Sequence, residues 1–134
     1  MHEVGHALGL THNFRASTVY TQAQLADREF TRKNGVSGSV MEYTPINLAL
    51  KGEPQGEYSM TTIGPYDYWA IEYAYRPIPP EQEAAELVRI AARSSEPLLA
   101  FALDEETNAG IDPDASAGDL GADPLAYAAR RLAA

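Results

Sequence analysis

Residues 2–12 read His-Glu-Val-Gly-His-Ala-Leu-Gly-Leu-Thr-His and contain all three histidines of the chain. The pattern is H-E-x-x-H-x-x-G-x-x-H, which offers three neutral imidazoles and one carboxylate at the spacing of a catalytic zinc site. His2 and His6 stand four residues apart, so on a helix they project from one face. Glu3, one position round, is aimed at a bound water rather than at the ion. Gly9 can end the helix by taking positive φ, and His12 can then return to the same metal. Three protein ligands leave a fourth position open for water, as in catalytic rather than structural zinc sites. A bare H-E-x-x-H arises fairly often by chance, as surface or core histidines. Gly9 and His12 at fixed offsets lower that chance to on the order of 10⁻⁵ per chain of this length, so the metal reading prevails.

The residue types then dictate a reaction. Zinc lowers the pKa of its water to about 7 and polarises a carbonyl. Glu3 is placed to take the water proton and pass it to the leaving amine. The expected chemistry is peptide-bond hydrolysis without a covalent intermediate. No other catalytic set competes. The chain has no cysteine, so no thiol nucleophile or thiolate metal site. A Ser-His-Asp triad would have to borrow a zinc ligand, and no glycine-rich phosphate loop is present.

Downstream lies Ser39-Val40-Met41-Glu42-Tyr43. With the histidine motif, this segment resembles the metzincin metalloproteases, which set a methionine turn beneath the zinc. The resemblance implies His2, His6 and His12 as zinc ligands and Glu3 as general base. It implies Met41 as the turn methionine, an apolar floor under the imidazoles. Alone, Met41 would read as ordinary core packing. Tyr43 resembles the tyrosine of the astacin and serralysin groups, which can ligate the resting metal and donate to the oxyanion. A plain turn aromatic is the alternative for Tyr43, because other metzincins place a different residue there. A helix is expected from Pro65, with Tyr66, Trp69, Ala70 and Tyr73 on an apolar face. Metzincins close their catalytic domain with such a helix, often with a similar Asp-x-x-Ala-Ile run. Together with Asn13-Phe14-Arg15-Ala16-Ser17, the wording looks most like large bacterial zinc-dependent metalloproteases, which are typically exported. The resemblance spans most of residues 1–80 and continues more weakly to the end.

The chain departs from that family at its first residue. In metzincins a subdomain with a twisted sheet, including a substrate-pairing edge strand, precedes the first ligand. Without it, His2 falls in a first helical turn with nothing upstream to nucleate it. The expected fold class is mainly α with irregular loops, a metzincin (zincin-like α+β) C-terminal subdomain without its N-terminal sheet. Residues 1–79 are expected to form the zinc-binding catalytic subdomain, and 80–134 an acidic helical extension packed on it. Two functions follow. One is a zinc metalloendopeptidase acting on a peptide or protein substrate, weak or inactive without its missing N-terminal subdomain. The other is a non-catalytic zinc-binding module, or one that self-associates through uncovered apolar surface.

The remaining residues position or exclude. The 134 residues suffice for one core. No run approaches the roughly 18 apolar residues of a membrane span. The net charge is −9. Eleven acids against Arg89 and Arg93 crowd residues 81–123. That balance disfavours nucleic acid and anionic membrane as partners. A solvated acidic face is the main reading. Calcium is the minority one, on Asp112, Asp114 and Asp119, but their spacing is not that of an EF-hand and assigns no site. Further helices are expected over 21–33, with Thr21 as N-cap and Gly35 as stop, and over 81–93, with Ala84, Leu87, Ile90 and Ala91 on one face. A last helix is expected from Asp123 to Leu132. A short strand is expected over 97–103 and a loop over 104–121.

Overall fold

Thr21 and Asp27 divide what the sequence presents as one helix. Thr21 Oγ1 accepts from the Gln24 N–H while Gln24 Oε1 accepts from the Thr21 N–H, and this reciprocal cap starts a helix. At Asp27 the backbone leaves the helical region (φ −84°, ψ 114°), and its carboxylate accepts from Glu29 and Phe30 N–H. A short acid able to cap its own successor thus outcompetes continuation of the helix.

The computed structural model describes residues 1–132. The helices are α1 (His2–Ala7), α2 (Gln22–Ala26), α3 (Arg28–Asn34), α4 (Pro65–Tyr75), α5 (Glu83–Ala91), α6 (Asp104–Ala109) and α7 (Pro124–Leu132). Shorter 3-10 turns cover Ala16–Val19, Ala92–Ser95 and Pro97–Leu99. No strand occurs among the described residues. The chain is therefore mainly helical with irregular connections.

Two expectations over residues 97–121 are corrected. The strand expected over 97–103 is the Pro97–Leu99 turn followed by irregular chain. Pro97 presets φ for the first position of a turn and has no N–H for a ladder. The loop expected over 104–121 contains α6. Its first turn holds Asp104, Glu105 and Glu106, which favour the positive helix end. Glu106 also accepts from the Leu103 N–H at 2.7 Å.

Helix α4 begins at Pro65 and ends at Tyr75, but its buried side is not the expected apolar stripe. Tyr66 and Asp67 are buried, Trp69 and Ala70 half-buried, and Tyr73 is exposed. A carboxylate thus occupies the most buried position of this helix. On α5, Ile90 is fully buried and Leu87 and Ala91 are half-buried, whereas Ala84 faces solvent. Trp69 Nε1 donates to Ile90 O at 2.8 Å and joins α4 to α5.

The main apolar cluster consists of Tyr20, Leu25, Val36 and Leu120, with Val19, Phe30, Met60 and Tyr127 packed around it. Leu120 and Tyr127 therefore bring the C-terminal segment onto the same core as α2. Burying a leucine fully is worth roughly 1.5–3 kcal/mol, so this contact is a substantial anchor. A second anchor lies nearer the histidines. Asn13 is fully buried. Its Nδ2 donates to Ala100 O and its Oδ1 accepts from Ala102 N–H, while its own N–H donates to Met41 O. One side chain thus fastens the chain after His12 to both the 39–43 turn and residues 100–102.

Candidate metal centre

Helix α1 carries His2, Glu3 and His6 and ends where Gly9 takes φ 88°. A Cβ at that φ is strained, so glycine lets the chain reverse there. Leu10 N–H bonds back to Gly5 O at 3.0 Å, and the reversal brings His12 beside the two helical histidines. Ring centroids are 4.8 Å apart for His2–His6, 4.9 Å for His6–His12 and 5.4 Å for His2–His12. One ligand atom from each of the three lies within 4.8 Å of the others.

Hydrogen bonding fixes which nitrogen each ring presents. His2 Nδ1 lies 2.7 Å from Val40 O, and His6 Nδ1 lies 2.9 Å from Leu10 O. A carbonyl oxygen only accepts, so both Nδ1 atoms carry the proton and both Nε2 atoms present a lone pair. His12 Nδ1 meets Asp104 Oδ1 at 2.9 Å, with the same consequence. The Nε2 atoms of His2 and His12 are buried and have no hydrogen-bond partner. Leaving such acceptors unpaired away from water is unfavourable unless something else takes the lone pairs. A borderline-soft cation does so, and metal-bound histidines usually have the other ring nitrogen held by a carbonyl or carboxylate, as Nδ1 is here. The donor set therefore fits zinc.

The turn 39–43 lies directly against α1. Met41 is fully buried, and its Sδ packs so closely on Gly5 that a Cβ there would collide with it. Glycine at the second x of H-E-x-x-H is what allows the helix to sit on this methionine. The turn itself is held from α4. Asp67 Oδ1 accepts from Ser39 Oγ, and Oδ2 accepts from Val40 N–H at 2.9 Å and Gly64 N–H at 2.7 Å. Ser39 Oγ in turn accepts from Met41 N–H at 2.9 Å. Because Val40 also supplies the carbonyl that orients His2, Asp67 is linked to the first histidine through a single residue.

Tyr43 covers the imidazoles from the solvent side. Its ring is 5.1 Å from that of His2, nearly parallel at 19°, and 4.6 Å from that of His12. It is 52% exposed, so one face stays open to an incoming molecule. Glu3 is exposed on α1 beside His2. Glu42 points the other way and is buried. Its Oε1 accepts from Tyr43 N–H and its Oε2 from Ser17 N–H, yet burial pushes its carboxyl up to about 8.

All six residues singled out from the sequence (His2, Glu3, His6, His12, Met41 and Tyr43) thus fall within α1, the loop after it and the 39–43 turn. Sequence reasoning gave no role to Asp67, Asn13 or Asp104. Asp67 had a signal, since an acid at the third position of a helix opened by Gly64-Pro65 is poised to take backbone N–H groups. Asp104 had none, being 92 residues from His12.

A protein family described as Met-zincin matches residues 1–134, the whole chain. No curated protein and no solved structure matches it. The chain belongs to the Met-zincin family, a metallopeptidase kind that implies zinc, and His2, His6 and His12 form a group able to hold a metal ion.

Proposed function

From that membership, we propose that this chain carries the catalytic zinc site of a metalloendopeptidase. His2, His6 and His12 are its ligands, Glu3 its general base and Tyr43 its oxyanion donor. The observation that carries the reading is the convergence of three imidazoles whose Nδ1 atoms are all committed, leaving unpartnered Nε2 atoms buried at His2 and His12. When bound, zinc supplies Lewis acidity, polarising a carbonyl and acidifying water.

The chain's own residues do the rest. Val40 O, Leu10 O and Asp104 hold the imidazoles in one tautomer and one orientation. Glu3, one residue from His2 and open to solvent, takes a proton from water and returns it to the departing amine. Tyr43 lies over His2 and His12 with half its surface free, so its hydroxyl is available to a substrate oxygen that gains negative charge. Met41 presents no titratable group and keeps the floor dry.

The test has three arms. Elemental analysis of the purified chain is expected to give about one zinc, as a three-ligand site requires. His6→Ala is expected to abolish specific zinc binding, and tight binding retained in that variant overturns the ligand assignment. Cleavage of an unstructured protein is expected to require zinc and to disappear in Glu3→Ala with zinc content unchanged. Tyr43→Phe then separates roles: a lowered kcat at unchanged zinc content supports the oxyanion role, and unchanged kinetics reduce Tyr43 to a turn aromatic.

A second reading, a non-catalytic zinc-binding or self-associating module, is favoured by the apolar residues exposed on α1 and just after it. Val4 is 60% and Leu8 40% exposed. Zinc binding without cleavage, together with a concentration-dependent dimer in sedimentation velocity, would select it.

A further inference from the structure

A second polar cluster adjoins the 39–43 turn through Glu42. It is built from Ser17, Glu42 and Asp119, all buried, with exposures of 0%, 5% and 7%. Ser17 N–H donates to Glu42 Oε2 at 3.2 Å, and Ser17 O accepts from Gly121 N–H, two residues after Asp119, at 3.0 Å. Both carboxylate oxygens of Asp119 and the Ser17 hydroxyl are buried without any hydrogen-bond partner. The Ser17 hydroxyl lies beside the Asp119 carboxylate, yet the two complete no hydrogen bond. Two buried acids, with three unpaired oxygens, form an arrangement that would cost several kcal/mol for each charge left uncompensated on ionisation.

The neighbouring charges give no relief. Arg15 is taken by Asp112 at 3.0 Å and Asp114 at 3.1 Å. These ion pairs also remove Asp112 and Asp114 from any calcium loop of the kind their spacing hints at, while Asp119 turns inward. Burial raises the Asp119 carboxyl above its ordinary range, as it does that of Glu42; the Asp119 charge adds to the rise at Glu42, and that of Asp114 to the rise at Asp119.

We infer that Ser17, Glu42 and Asp119 form a calcium site that fastens the C-terminal segment 118–121 to the turn carrying Met41 and Tyr43. The donor set is all oxygen: a hydroxyl, the two oxygens of Asp119 and those of Glu42. Hard cations take such ligands, and two carboxylates balance a divalent charge. Calcium accepts irregular geometry and bidentate carboxylates and fills the rest of its shell with carbonyl or water oxygen, whereas magnesium requires a near-octahedral shell that two bidentate carboxylates do not offer. Zinc prefers the nitrogen set of the histidines. The cation would draw together three segments distant in sequence: the Ala16–Val19 turn, the 39–43 turn and residues 118–121.

The experiment uses the full zinc-loaded chain at neutral pH, with calcium or magnesium chloride as the added probe. Isothermal titration is expected to show one calcium per chain beyond the zinc, with a Tm rise that magnesium does not reproduce. Glu42→Gln and Asp119→Asn are each expected to weaken calcium binding at least about tenfold and to remove the Tm response, in keeping with the dependence of calcium affinity on ligand charge. Asp112→Asn, which alters an acid held by Arg15, is expected to keep both. If one variant fails to fold, the wild-type titration and the other variant still decide. No calcium binding by the wild-type chain, or a calcium response that survives in Glu42→Gln or Asp119→Asn or is lost in Asp112→Asn, overturns the site. Absence of calcium binding with Glu42→Gln more stable than wild type would show that the pair shares a proton instead, and this also overturns it. Each arm reads calcium, so the outcome is independent of whether the histidine centre cleaves peptides.

Discussion

Asp67 and Glu42 are both buried carboxylates, and they grip opposite ends of the same five-residue turn. Asp67 is 3% exposed and Glu42 5%. Asp67 receives three donors, one hydroxyl and two backbone N–H groups. Glu42 receives two and shares its surroundings with Asp119, a second acid. The first end of the turn is therefore a completed anchor, and the second is an acid whose charged form would be incompletely solvated. Burial alone does not decide whether an acid stabilises a fold. What decides is whether donors replace the water it lost.

The sharpest way to break this contrast is to remove the completed anchor. Asp67→Ala strands Ser39 Oγ and two N–H groups away from water. Hydrogen bonds to a charged group are worth about 1.5–3 kcal/mol each, so a loss of roughly 3 kcal/mol or more is expected in urea unfolding. The turn would also release Val40 O from His2, and zinc affinity is expected to fall at least about tenfold. Asp67→Asn should lie between, because an amide keeps one acceptor but turns its NH₂ toward a donor. A stable Asp67→Ala variant with unchanged zinc affinity would show that Met41 packing alone holds the turn.

Glu42 is expected to respond in the opposite sense. Its carboxyl sits near 8 in the folded chain because burial disfavours the charged form, against about 4.3 for an exposed glutamate. Between those values the folded state binds more protons than the unfolded one, so stability falls as pH rises. The contribution is fully present below the unfolded value and is lost as pH approaches 8. The slope in that window is at most about 1.4 kcal/mol per pH unit. Glu42→Gln cannot ionise. In calcium-free buffer, the difference in unfolding free energy between variant and wild type is therefore expected to move in favour of the variant from about pH 5 to about pH 8. Histidine protonation affects both chains and largely cancels in that difference. A pH-independent difference would mean that Glu42 is ionised and compensated throughout.

The same contrast explains what could be read from the sequence. The three histidines, Glu3, Met41 and Tyr43 are local in two short segments, where spacing on a helix and around Gly9 fixes geometry directly. Helix α4 was legible from Pro65, and α7 from Asp123, whose Oδ1 accepts from the Ala126 N–H as a cap should. The break at Asp27 was not, because a capping acid inside a helical pattern is also compatible with an uninterrupted helix. The strand expected over 97–103 failed for a related reason: a short apolar run has no sheet to join here and is held instead by Asn13. The buried acids were hidden more deeply. In sequence Glu42, Asp67 and Asp119 resemble the other acids of a strongly acidic chain, and only long-range packing singles them out.

Asp104 supplies the intermediate case and the smallest expected effect. Its carboxylate meets His12 Nδ1 at 2.9 Å, but its side chain is 47% exposed while that of His12 is 17% exposed. Water can therefore replace Asp104 at modest cost, unlike the donors around Asp67. Asp104→Asn keeps an oxygen that accepts the Nδ1 proton and removes only the charge. Partners of this kind are worth about 10–100-fold in metal affinity, and solvent exposure places the expected loss at the lower end, about tenfold. Asp104→Ala should lose somewhat more, since the imidazole is then free to rotate. Competition with a chromogenic chelator reads both. The loss on charge removal should shrink with added salt, because a half-exposed pair is screened, whereas the zinc loss in Asp67→Ala should not. Salt-independent losses in both variants would place Asp104 with the completed anchors, and its contact with His12 would then act through geometry rather than charge.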